Sequence, residues 1–118
     1  MKEIFVFTTN TLGQHTKGAA KVAYKKHGAR WGMAYGQYGN SFAIPTRGPD
    51  GLLSQEDIQK FINGFIAYAS MNPQWDFKVA ISEDFLPHQF INVTGNVLLP
   101  EQWRQHLGDN YNYWGTLS

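Results

Sequence analysis

The chain has 118 residues, a mass of 13.4 kDa, 42% hydrophobic and 16% charged residues, and a formal net charge of +1. These values describe one domain with enough apolar content for an ordinary core, exclude wholesale disorder, and give no general reason to expect a polyanion such as DNA as partner. Cysteine is absent, which excludes disulfides and thiolate metal sites, and the apolar run within MKEIFVF is too short for a signal-peptide core or a membrane span, so a cytoplasmic protein without a membrane partner is expected.

Ile4-Phe5-Val6-Phe7 is a β-branched and aromatic run that predicts a strand buried on both faces. A polar loop, TTNTLGQHTKG, follows. From Gly18 to His27 the residues are good helix formers, with small side chains at 19, 20 and 23 that let a helix lie close to a sheet. Gly28 comes directly after Lys25, Lys26 and His27, where a C-terminal glycine and dipole-compensating cations belong. WGMAYGQYGN, residues 31–40, has no period and reads as an irregular aromatic loop. Ser41 to Pro45 predicts a second strand ended by proline, and TRGPDG a turn.

Ser54 is a natural N-cap with Asp57 three residues on. Ile58, Phe61, Ile62, Phe65, Ile66 and Ala69 then form one helical face, stopped before Asn72-Pro73. Phe77–Ile81 predicts a third strand. Gln89–Val93 offers a fourth, which Val97-Leu98-Leu99 either continues or covers at the sheet edge. Residues 100–107 read as a short helix with Pro100 in its first turn and Gly108 past its end. The alternation implies an α/β domain over residues 1–108 with a small, mostly parallel sheet. Residues 109–118 are a polar, aromatic and loosely held tail.

In open α/β sheets ligands sit outside the carboxyl ends of the strands, and TTNTLGQHTKG occupies that place after the first strand. Gly13 and Gly18 let the backbone approach a ligand, and a helix starting near Gly18 offers unpaired N–H groups to a phosphate. Asn10 can offer its amide to a ribose hydroxyl or a base edge. His15 is either a phosphate donor, a general acid or a loop-stabilising residue. Tyr35 and Tyr38 either stack on a ring or pack across a sheet edge, and Arg30 and Arg47 either pair with phosphate or are solvated. Glu83 and Asp84, near His88 in sequence, are either a general acid–base pair or metal site or, as adjacent side chains on an extended segment that point apart favour, part of a solvated loop. No histidine spacing suits a metal, no nucleophile elbow is present, and no standard nucleotide fingerprint applies.

IFVFTTNTLGQHTKGAAKVAYKKHGARWG, followed by QYGNSFAIPT, resembles a family of small phage-associated proteins with the pattern I-F-V-F-G-S-N-x-x-G-x-H-G-x-G-A-A and a strand ending A-I-P-T. That family is in turn similar to macro domains, whose first asparagine and glycine-rich loop bind ADP-ribose. The resemblance implies a macro-like three-layer α/β fold. It also implies a pocket for an ADP-ribose-like or other nucleotide-derived ligand, and the expected ligand-binding set is Thr8, Thr9, Asn10, Leu12, Gly13, His15, Lys17, Gly18 and Ala19, with Tyr35, Tyr38 and Arg47 from the reading of the residues themselves. Thr8-Thr9 stand where relatives have Gly-Ser, Thr16 replaces a glycine, and Ile81–His88 has no glycine where relatives carry a second glycine-rich stretch.

The expected function is capture of a nucleotide-derived ligand, ADP-ribose-like or a cyclic-nucleotide signal, with phage counter-defence as an extension. The alternatives are an ADP-ribosyl hydrolase or phosphoesterase, with Asn10 and His15 positioning substrate and water, and a protein-binding or inhibitory module with a vestigial pocket. Neither a cofactor nor a nucleic-acid partner is expected; self-association is open.

Overall fold

The computed structural model describes residues 2–115. Strand β1 (Glu3–Asn10) is followed by helix α1 (Gly18–Lys26), strands β2 (Gly36–Tyr38), β3 (Ser41–Gly48) and β4 (Gly51–Leu52), and helix α2 (Gln55–Ser70). Strand β5 (Asp76–Val79), β6 (Val97–Pro100), the short helix α3 (Arg104–Leu107) and β7 (Asn112–Trp114) complete the chain. The sheet runs β2-β3-β1-β5-β6-β7, with β4 also on β3. The central β3-β1-β5-β6-β7 ladder is parallel throughout, and β2 and β4 pair antiparallel with β3.

The result is a three-layer α/β domain. Along β1, Ile4 and Val6 face the α2 layer while Phe5 and Phe7 face α1, so the strand is buried on both sides. Ala20 and Ala23 of α1 meet the large Phe5 and Phe7: small residues on the helix accommodate large ones on the strand. Ile58, Ile62 and Phe65 of α2 are completely buried. At roughly 1.5–3 kcal/mol per side chain of this size, the α2 face contributes more to stability than the alanine-lined α1 face. Ser54 Oγ accepts the Asp57 N–H at 3.1 Å, the N-cap its sequence announces.

Four local expectations are revised. Proline does not end the second strand: β3 passes through Pro45, because β2 and β4 pair with β3 on either side of it, leaving that position without a ladder partner on that flank. Part of the 31–40 loop forms β2. Gln89–Val93 is not a strand. Residues Pro87–Phe90 form a 3₁₀ turn in which Gln89 Oε1 accepts the Leu86 N–H at 2.8 Å, and Phe90 packs in the core; β6 is a separate strand. Residues 109–115 are not loose, since β7 extends the sheet and Trp114 donates from its indole N–H to the Val79 carbonyl at 2.8 Å. The last part of the predicted tail, 116–118, lies outside the described residues. Among the described residues no helix is long and apolar enough to cross a membrane.

Candidate functional site

Helix α1, which follows β1, covers one face of the sheet, while the segments leaving β3 and β5 cover the other. Loops that diverge in this way leave a crevice at the carboxyl ends of the strands. A cleft of about 350 Å³ lies there, near the lower end of the range for small-molecule sites. Its walls are the end of β1 (Thr8, Thr9, Asn10), the end of β3 (Thr46, Arg47), the segment after β5 (Glu83, Asp84), and the start of α1 with its approach (Gln14, Thr16, Lys17, Ala20).

The loop after β1 is built by Asn10. Its Oδ1 accepts from the N–H groups of Leu12 at 3.1 Å and Gln14 at 3.0 Å, and its Nδ2 donates to the Gln14 carbonyl at 3.0 Å. The amide expected to meet a ribose is therefore spent on the loop itself. Gly13 is buried against the 31–33 segment instead of lying open to a ligand, and donates its N–H to the Asn10 carbonyl at 2.9 Å. Leu12 faces outward.

His15 is 1% exposed. Its Nε2 lies 2.7 Å from the Arg30 carbonyl, so that nitrogen donates, and Nδ1 accepts from Thr9 Oγ1 at 2.8 Å. Of its expected roles, stabilising the loop is the one this geometry provides; the ring is not open to substrate. Thr8 Oγ1 is likewise committed, donating to Ser82 Oγ at 3.1 Å.

The start of α1 is different. Lys17 occupies the N-cap position without a side-chain cap, and among the described residues no hydrogen bond engages the N–H groups of Gly18, Ala19 and Ala20. Gly18 and Ala19 do not line the cleft themselves, but Lys17 and Ala20 place this turn at its wall. Lys17 forms no ion pair among the described residues.

The opposite wall corrects the reading of Glu83 and Asp84. Asp84 is buried. It receives Arg47 at both oxygens, Nε to Oδ2 at 2.8 Å and Nη2 to Oδ1 at 2.7 Å, with Thr46 Oγ1 at 2.9 Å from Oδ2. Glu83 remains exposed and touches the same guanidinium at 3.3 Å. The two neighbours converge on Arg47 because the chain is not extended there, and Arg47 is engaged by carboxylates instead of waiting for phosphate.

The Arg47 hydrogen bonds hold the Asp84 carboxyl below the usual carboxylate range, with Thr46 helping and burial opposing. A depressed folded value stabilises the protein above the unfolded value, near pH 4, and that contribution is lost as pH falls through the folded value. Urea denaturation should therefore show Arg47→Met less stable than the native chain at pH 6, because the buried Asp84 carboxylate loses its charged partner. The difference should shrink below pH 4. A gap that stays constant down to pH 2 would rule out the Asp84 linkage.

Tyr35 and Tyr38 do not line the cleft. Tyr35 packs against Phe42 and Phe61 in the α2 layer, 5.5 and 5.1 Å between centroids, and donates to the Phe61 carbonyl at 2.9 Å; burial pushes its phenol pKa up. Tyr38 is half-buried in β2 opposite Ser41. Packing is what Tyr35 does here.

Six lining residues lay outside the predicted set: Gln14, Thr16, Ala20, Thr46, Glu83 and Asp84. The signal that finds them is positional, since the rule that points to the loop after β1 applies equally to the ends of β3 and β5. The chain matches no family model, no curated protein and no solved structure.

Proposed function

We propose that this cleft binds a nucleotide-derived small molecule of the ADP-ribose or cyclic-nucleotide kind. The observation that carries the reading is the asymmetry of its walls. On one side stand the uncapped first turn of α1 and the unpaired Lys17, which suit a phosphate. On the other, exposed Glu83 is held only by a surface contact to Arg47, which is weak and leaves its carboxylate able to accept from a ribose diol. The resemblance to macro-like phage-associated proteins agrees with this choice, and capture of a defence signal in a host cytoplasm is its extension.

Binding is favoured over turnover. Asp84 is occupied by Arg47, and His15 is buried behind Thr9, so neither is free to move a proton for a substrate. A hydrolase would show product on chromatography after incubation with ADP-ribosylated or cyclic-nucleotide substrates; a binder returns them unchanged.

The test is a thermal shift with ADP-ribose, NAD and cyclic dinucleotides. A ligand present at 100 times its Kd adds about 2.7 kcal/mol, which raises Tm by roughly 10 °C in a domain of this size. Lys17→Glu, a change at an exposed and unpaired position, should weaken the response at least about tenfold. A flat response to every ligand would overturn the reading and leave the protein-binding alternative.

A further inference from the structure

We propose that the outer face of α1, from Lys21 through Lys25 to Trp31, is a second binding surface and that it takes single-stranded nucleic acid. The net charge of +1 conceals a segregation. From residue 4 to residue 49 the chain has no Asp or Glu, yet Lys17, Lys21, Lys25, Lys26, Arg30 and Arg47 fall within that stretch, the first five of them on or beside α1. The rest of the protein carries nine carboxylates against four cations, a net −5.

Each of the five cations away from α1 has a partner: Arg47, Lys60, Lys78 and Arg104 form ion pairs, and Lys2 lies over Trp75. Among the described residues, none of the five on the α1 side does. They are exposed, and they are the only Lys and Arg of the described residues left without a counter-charge or ring. Lys21 and Lys25 stand four residues apart in α1, about 6 Å along the axis at 1.5 Å rise per residue, and so on one side of the helix.

Beside these lysines stand two exposed rings. Tyr24 is 47% and Trp31 50% exposed, with centroids 5.6 Å apart. Both rest on buried His15, each at 6.3 Å, and His15 in turn packs on Phe7 of the central strand. The rings are thus held from beneath with their outer surfaces free. A cationic track flanked by fixed aromatic rings is the arrangement that binds single strands, through phosphate contacts and base stacking. A duplex keeps its bases stacked on one another and leaves the rings unused, whereas an acidic peptide has no bases to stack on them.

The test is fluorescence anisotropy of the full chain with a labelled twelve-nucleotide oligothymidylate, using variants that leave the cleft intact. Binding at low salt should weaken with a log–log slope of about −2, as expected for three phosphate contacts to a single strand. The double variant Lys21→Glu/Lys25→Glu should lose at least about tenfold in affinity, and so should Trp31→Ala, with Trp31→Phe restoring most of it. Circular dichroism melts that match the native chain keep these losses attributable to the surface. No binding up to about 100 µM protein, the weak end of non-specific affinity, would overturn the proposal. So would equal binding by Trp31→Ala, or the same Trp31 dependence with polyglutamate or anionic vesicles.

Discussion

Gly13→Ala is expected to destabilise the protein by about 2–5 kcal/mol, more than any other single methyl added to its loops. Gly13 has φ +68°, a region that costs an L side chain about 1–2 kcal/mol. A Cβ there would lie 2.5 Å from both Gly32 C and Met33 N. Those atoms are backbone, and the Gly32 N–H donates to the Gly13 carbonyl at 2.9 Å, so the two loops cannot part without losing that bond. Overpacking of this kind adds about 1–3 kcal/mol. Gly18→Ala is the matching control, because Gly18 also has a positive φ, +53°, but nothing lies within 4 Å of its Cβ position. Urea denaturation of both variants separates conformation from contact. Equal losses would mean that the 31–33 segment does not press on Gly13.

His15→Ala is expected to cost about 2–4 kcal/mol, in the range for removing a large buried side chain. The ring fills the space between Phe7, Tyr24 and Trp31, and it joins the end of β1 to the Arg30 carbonyl through Thr9. Its removal leaves a cavity and deprives a buried hydroxyl and a carbonyl of their partner. His15→Gln retains some polar contact and should fall between the two in denaturation midpoint. Were His15 instead a general acid waiting for substrate, alanine would leave the midpoint unchanged while abolishing turnover. The two outcomes are opposite, so one denaturation series decides between them.

Much of the scaffold was legible from neighbours alone. The face of α2 from Ile58 to Ala69 shows as a period of 3.6, and its start shows in Ser54, because cap and period are both local. The double burial of β1 shows in Ile4 to Phe7 for the same reason. Gly28 at the end of α1, with φ +79°, is a local requirement as well. The failures also have a physical pattern. Gln89–Val93 has the composition of a strand, but Pro87 and the Gln89 side chain curl it before any ladder partner is available. Residues 112–114 look like a polar tail until β6 supplies an edge for them.

By itself, the order of residues in this chain determined the class of the fold, the placement of α1 and α2, and the end of β1 as the place where a cleft forms. Those properties depend on hydrophobic period, capping and chain handedness, which act over a few residues. Only the tertiary structure decided which of the expected site groups are free. Asn10 turned out to be spent on its own loop, Gly13 on Gly32 and Met33, His15 on Arg30, and Arg47 on Asp84, 37 residues away. A polar side chain bonds to whichever partner the folded backbone brings within 3 Å or so of it. In this chain most of those partners come from segments far apart in sequence.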